Sequence, residues 1–201
     1  MAETFAILSG ALMCLAGPPY LISILRHRTK PERTSWFIWS ALGVIAFVTQ
    51  VGLGAHWSLV YAGVNAAGNL LVFLLSLKFG VGGWKKIDVL SLIIAAIGAI
   101  ISLVARDPLY ALYGVVAANA AGTVPTLYKT YFAPKTESSI AWFFISTSSL
   151  FGALSVGSWS FNLLLYPASM AITSYAVLAT QGLGLVFRRK TKQAATVSIN
   201  R

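Results

Sequence analysis

Apolar residues fall into seven long runs, at about 4–25, 36–54, 57–78, 86–105, 108–129, 140–157 and 160–187. Short stretches rich in charge, glycine or proline separate them. A bilayer-crossing helix needs roughly 20 apolar residues. Such runs predict helices, because backbone in hydrocarbon must satisfy its own hydrogen bonds. The alternating pattern of a membrane barrel is absent. The first run follows Met-Ala-Glu, with no basic residue ahead of it, and reads as a retained helix, not a cleaved leader.

Composition supports a membrane protein. Of 201 residues, 57% are hydrophobic and 10% charged, and mean hydropathy is +0.77. Soluble domains are about a quarter charged. Seven spans leave no room for a soluble catalytic module. The single cysteine, Cys14, excludes an internal disulfide.

A net charge of +10 raises the question of nucleic acid. Position answers it, because the basic residues cluster at the ends of the runs. Lys and Arg in alternate connections number 14 on one side and 1, Arg106, on the other. The positive-inside rule then puts the N-terminus outside and the C-terminus in the cytoplasm. An integral protein of the plasma membrane is expected, with lipid as a partner and nucleic acid excluded. Self-association into a homo-oligomer is left open.

The two halves resemble one another. Ala16–Phe37 reads AGPPYLISILRHRTKPERTSWF and Ala121–Phe143 reads AGTVPTLYKTYFAPKTESSIAWF. At an offset of 106, Pro19 meets Pro125, Leu21 meets Leu127, Trp36 meets Trp142 and Phe37 meets Phe143. The expected fold is all-α: two parallel three-helix bundles joined by a linker helix, 3+1+3. The divisions are 1–80, 81–106, 107–188 and a cytoplasmic tail, 189–201.

Proline late in a span, a basic loop, Lys135-Thr136-Glu137-Ser138-Ser139 and then Trp142-Phe143 together resemble the PQ-loop repeat. The SWEET sugar transporters and their half-sized SemiSWEET relatives share that repeat. Asn65-Ala66-Ala67-Gly68 resembles the Asn-x-x-Gly of the third SWEET span. The chain departs from the pattern at Pro19-Tyr20 and Pro125-Thr126, which lack the glutamine of the PQ motif, and at Pro167-Ala168, where the seventh SWEET span carries Pro-Asn. Two of the four SWEET gate prolines have counterparts, Pro19 and Pro125. Phe47 and Phe151 stand nearest to the family's pocket tryptophans. The resemblance implies alternating access about a midplane pocket, with Pro19 and Pro125 as gate hinges.

The acids Glu3, Glu32, Asp88, Asp107 and Glu137 all lie at or near span ends. Proton relays and charged-substrate sites need ionisable groups within the membrane. What remains at mid-depth is neutral: Asn65 and Asn69 on one face of the third span, with Tyr61 extending their stripe, then Asn119, Thr147-Ser148-Ser149, and Ser169, Thr173 and Thr180. Amides both donate and accept, which suits a hydroxyl-rich neutral solute. The same groups also join helices in membrane bundles. Asn65, Asn69, Asn119, Thr173, Ser148, Phe47 and Phe151 are the candidate binding residues. Trp36, Trp57, Trp84, Trp142 and Trp159 read as interfacial anchors. Small residues at Gly114, Ala118 and Gly122 read as a close-packing stripe.

Enzyme chemistry has no support. His27 and His56 lie in loops on opposite sides, no metal-ligand cluster exists, and no serine has an activating partner. No cofactor is implied. The expected function is facilitative transport of a small neutral solute, a sugar first. The alternatives are a non-transporting seven-helix receptor or chaperone, and a transporter of another neutral metabolite such as a vitamin precursor.

The orientation is testable in intact cells. An impermeant thiol reagent should label a cysteine placed at Ser158 and spare one placed after Val186. The reverse pattern would reject the topology.

Overall fold

The computed structural model describes residues 2–52, 57–106, 108–156 and 161–199. Those residues form seven α-helices: α1 (Ala2–Leu25), α2 (Arg33–Gly52), α3 (Trp57–Phe79), α4 (Lys86–Val104), α5 (Pro108–Phe132), α6 (Ser139–Leu154) and α7 (Phe161–Ile199). A single 3-10 turn, Pro134–Thr136, precedes α6. Each apolar run became one helix. Three stretches are long and apolar enough to cross a membrane: Glu3–Leu25, Lys86–Val104 and Leu164–Arg189. Asn65–Phe79 and Ser139–Leu154 are shorter apolar helices. α7 continues through the expected boundary at 188 to Ile199, so the described part of the tail is helical.

α4 packs on α5, α1 on α6, α2 on α3, and α7 between α5 and α6, while α2 also meets α5. The stripe Gly114, Ala118 and Gly122 sets the position of α5. A Cβ on Gly114 would strike the backbone of Gly98 and Ser102 in α4. A Cβ on Gly122 would meet Ile38 and Trp39 of α2. Backbone contact this close is what small residues permit in helix pairs. Ile38, Ala95, Ala118 and Ala121 form the core there. Tyr20, Ile24, Trp36, Val72 and Ala141 form a second core near the other end of the helices.

Three connections are stitched together at one end of the bundle. Residues 26–32, between α1 and α2, form the middle piece. Val81 N–H donates to Pro31 O and Arg33 N–H to Val81 O, both at 2.9 Å. Lys30 N–H donates to Thr136 O at 2.9 Å. Arg33 then caps the C-terminal end of α3. Its guanidinium donates to Ser76 O at 3.0 Å, Gly80 O at 2.8 Å and Gly82 O at 3.1 Å. A cation at a helix C-terminus satisfies free carbonyls and opposes the dipole. Gly82 has φ +82°, and the Glu32 carboxylate occupies the space a Cβ would need.

Gly114→Ala should lower the unfolding temperature, with a loss of about 1–3 kcal/mol from overpacking. Gly17→Ala, which meets open space, should be neutral or stabilising by up to about 1 kcal/mol through helix propensity. Thermal unfolding in detergent checks both. Equal effects would reject the close α4–α5 contact.

Candidate functional site

A cavity of about 550 Å³ lies between the helices, and every helix contributes to its wall. Asn65 and Asn69 reach it from α3, Asn119 from α5, Ser148 from α6 and Thr173 from α7. Five of the sequence-derived candidates therefore converge on one space. Ala99 and Ser102 of α4 also touch it, so the expected linker helix is not wholly outside the wall. Phe47 and Phe151 do not line it. Phe47 lies against Gly63 of α3, and Phe151 stacks on Phe5 at 5.7 Å between centroids. Pro19 and Pro125 do not line it either. Pro125 is buried beside a second, small void. Tyr61 lies outside the residues whose side chains are described.

The polar groups of the wall divide by bond length. Asn69 Nδ2 donates to Asn65 Oδ1 and to Trp39 O, both at 3.4 Å. Asn119 Nδ2 donates to Thr173 Oγ1 at 3.3 Å. These are long beside the usual 2.9–3.0 Å, so they are weak bonds. Ser9 and Ser148 differ. Ser9 Oγ donates to Ser148 O at 2.8 Å, and Ser148 Oγ donates to Ser9 O at 2.7 Å. That reciprocal pair ties α1 to α6. Among the described residues, the lining holds no Asp, Glu, Lys, Arg or His.

The cavity floor is aromatic, which corrects the anchor reading for two tryptophans. Trp36 and Trp142 are buried and line the cavity with Trp39. Trp39 lies 5.1 Å from Trp36 and 6.2 Å from Trp142, edge to face in both pairs. Trp36 and Trp142 are one turn or less into α2 and α6, on the side facing the other helices, so burial wins over the interface. Trp84 is 92% exposed. The side chains of Trp57 and Trp159 lie outside the described residues.

The lining follows the internal repeat. Trp36 and Trp142, Trp39 and Ile145, Leu42 and Ser148, and Gly43 and Ser149 are each 106 positions apart, and all eight line the cavity. So do Ser9 with Val115 and Met13 with Asn119, on α1 and α5. The helix starts match as well. Glu32 accepts from Ser35 N–H at 2.7 Å ahead of α2. Its counterpart Ser138 accepts from Ala141 N–H at 3.4 Å ahead of α6.

Beneath the floor lies a buried ionic cluster that the sequence did not reveal. Glu137 pairs with Lys129 and accepts from Trp142 Nε1 at 2.9 Å and from Tyr20 OH at 3.2 Å. Lys129 Nζ also donates to Lys30 O at 2.8 Å. Gln181 Nε2 donates to Pro134 O and Glu137 O, both at 2.9 Å. The acids near helix ends looked solvated because a linear sequence does not show which loops cover them. Asp88 had a readable signal, three residues into a helix after two glycines. It accepts from Gly83 N–H at 2.7 Å and Lys85 N–H at 2.9 Å.

Glu32 is a second buried acid, 2% exposed, with Oε1 lacking a donor. It lines a void of about 40 Å³ with Asp88, Lys85, Lys129 and Tyr128. Burial pushes its carboxyl up from 4.5 to about 7. The Ser35 N–H opposes that shift and the Asp88 charge adds to it. No group of three or more potential metal ligands occurs among the described residues.

Compared with known proteins, the chain matches no family model, no curated protein and no solved structure.

Glu32 gives a pH signature. Its folded pKa lies above the unfolded value, so its contribution to stability is full below about pH 4.5 and fades as pH rises to about 7. The fading amounts to about 3 kcal/mol. Glu32→Gln, which mimics the protonated acid, should flatten that part of the stability profile and should match or exceed the native protein at pH 8. An unchanged slope in thermal unfolding between pH 5 and 8 would reject the assignment.

Proposed function

We propose that the protein is a facilitative transporter of a small neutral solute, with sugars the first class to test. The carrying observation is the cavity itself. It is walled by amides and hydroxyls, floored by indoles and without an ionisable acid or base among its described lining residues. Its volume falls within the range of small-molecule sites. Indole faces suit the C–H faces of a solute, and long amide contacts suit its hydroxyls.

The repeat supports alternating access. Lining residues from α1 and α2 have counterparts 106 positions later in α5 and α6. On this reading α1–α3 and α5–α7 are two parallel bundles, α4 joins them, and the solute lies on the axis between them. This is the plan of the PQ-loop transporters, to which we assign the chain by these features. Pro19 and Pro125 each remove one backbone donor, leaving the Leu15 and Ala121 carbonyls free at matching depths of α1 and α5. Those weak points let each helix bend near the floor.

A membrane setting is supported by the outer surface. Leu90, Ile93, Ile97, Ile100, Leu103 and Val104 of α4 are exposed, a face that water would penalise and lipid tails would not. The charge asymmetry then places the stitched, basic end in the cytoplasm and the N-terminus outside. No acid or base among the described lining residues offers a proton site within the cavity, which favours uniport.

Purified protein in liposomes should equilibrate a radiolabelled neutral solute from a panel of sugars and polyols. Uptake should follow the solute gradient and be unchanged by a protonophore. Asn65→Ala and Asn119→Ala should each slow it about fivefold, the worth of one neutral hydrogen bond near 1 kcal/mol, while folded yield holds. Binding without uptake would make the protein a receptor. Uptake abolished by the protonophore would overturn the uniport mechanism.

A further inference from the structure

We infer that Glu137 is a positioning residue that latches the basic-loop end of the cavity shut and holds the Trp142 indole as its door. The inference rests on the transport reading for its purpose, but its geometry stands alone.

Trp142 has two faces of duty. Its ring lines the cavity, and its Nε1–H is spent on Glu137 at 2.9 Å. Glu137 simultaneously takes the Tyr20 hydroxyl of α1 and the Lys129 ammonium of α5. Its own backbone carbonyl takes Gln181 of α7. Lys129 reaches on to Lys30 O between α1 and α2. One carboxylate thus joins elements from both repeats directly under the floor. An opening that separates α1 from α5 or α6 at this end breaks bonds to Glu137.

Two features make this a latch and not merely a buried pair. The second repeat supplies the acid and the lysine, while the matching positions of the first are Pro31 and Ser23. Repeat packing therefore does not require the ion pair. The Trp36 indole, counterpart of Trp142, packs against the Tyr20 ring and hydroxyl and makes no bond to an acid. Glu137 thus fastens the floor through the Trp142 indole. Such a pair is costly to break halfway, because removing one charge strands the other, and much cheaper to remove whole.

The test reads gate opening without any solute. In a Cys14→Ser background, a cysteine replaces Ser149 in the cavity wall, where the native hydroxyl bonds to Ile145 O of its own helix. A cysteine at the exposed Arg28 marks the basic-loop face in liposomes of fixed orientation. An impermeant maleimide should label position 149 slowly from that face. Lys129→Met/Glu137→Gln should raise the rate from that face about tenfold or more, the worth of a charge-assisted bond, and should lower it from the opposite face. Tyr20→Phe, which keeps the ring and loses only the hydroxyl given to Glu137, should raise it by a smaller factor and decides the matter if the double variant does not fold. Equal rates in native and variant protein, with only a lower unfolding temperature, would make the cluster structural and overturn the latch. Faster entry in the variants without solute transport in the native protein would keep the latch and remove the transporter.

Discussion

The buried pair between Lys129 and Glu137 is the interaction on which the basic-loop end of this bundle depends. Two charges out of water are tolerated only when their remaining lone pairs and protons are met. Here Glu137 receives an ammonium, an indole N–H and a phenol O–H, and Lys129 spends a further donor on Lys30 O. Each partner lies on a different segment. The demand to satisfy one carboxylate therefore fixes α1, α5, α6 and the first loop against each other at a single depth. Gln181 extends the same demand to α7 through the loop carbonyls it meets.

Backbone proximity supplies the complementary constraint. α5 is held from two sides by contacts that only small residues allow, Gly114 to Gly98 and Gly122 to Ile38 and Trp39. That leaves the polar face of α5, with Asn119 and Thr123, turned toward the cavity. On the stitched end, Arg33 serves two needs at once. It caps the carbonyls of α3 and anchors the loop that pairs with Val81. Read as part of the charge asymmetry alone, it was one of 14 basic residues. In three dimensions it is a helix cap.

Helix number, helix order and the mid-depth polar candidates were legible because each rests on a local signal: run length, periodicity, or an Asn in an apolar stretch. The repeat was legible because Trp36 and Trp142 stand out at a fixed offset. What the linear order hid was coverage. Glu32, Asp88, Glu137 and Lys129 lie near helix ends, where solvent is the default. Only the packing of three loops on one another shows that water is excluded there. Trp39 was passed over for the converse reason. In an apolar helix an aromatic carries no distinguishing signal until a neighbouring backbone fixes which way it faces. The Phe47 and Phe151 candidates came from a family position, and the structure places both outside the cavity wall.

The cavity is symmetric in position and asymmetric in chemistry. Ser9 of α1 has Val115 of α5 as its counterpart. Ser148 and Ser149 of α6 have Leu42 and Gly43 of α2. The wall made by α1 and α6 thus carries serine hydroxyls, and the matching positions of α2 and α5, Leu42, Gly43 and Val115, carry none. Asn119 breaks the pattern on α5, opposite Met13, and it pairs with Thr173 of α7. A pocket on an undiverged repeat axis would offer a solute two equivalent poses. Here the half-turn that exchanges the walls would bring solute hydroxyls against Val115 and Leu42, leaving them without partners at a cost of about 1–3 kcal/mol each. On the transport reading, divergence between the repeats selects one pose while leaving the lining positions matched at the offset of 106. The same division of labour holds below the floor, where one repeat carries the ion pair and the other supplies the Tyr20 hydroxyl and the Lys30 carbonyl that meet it.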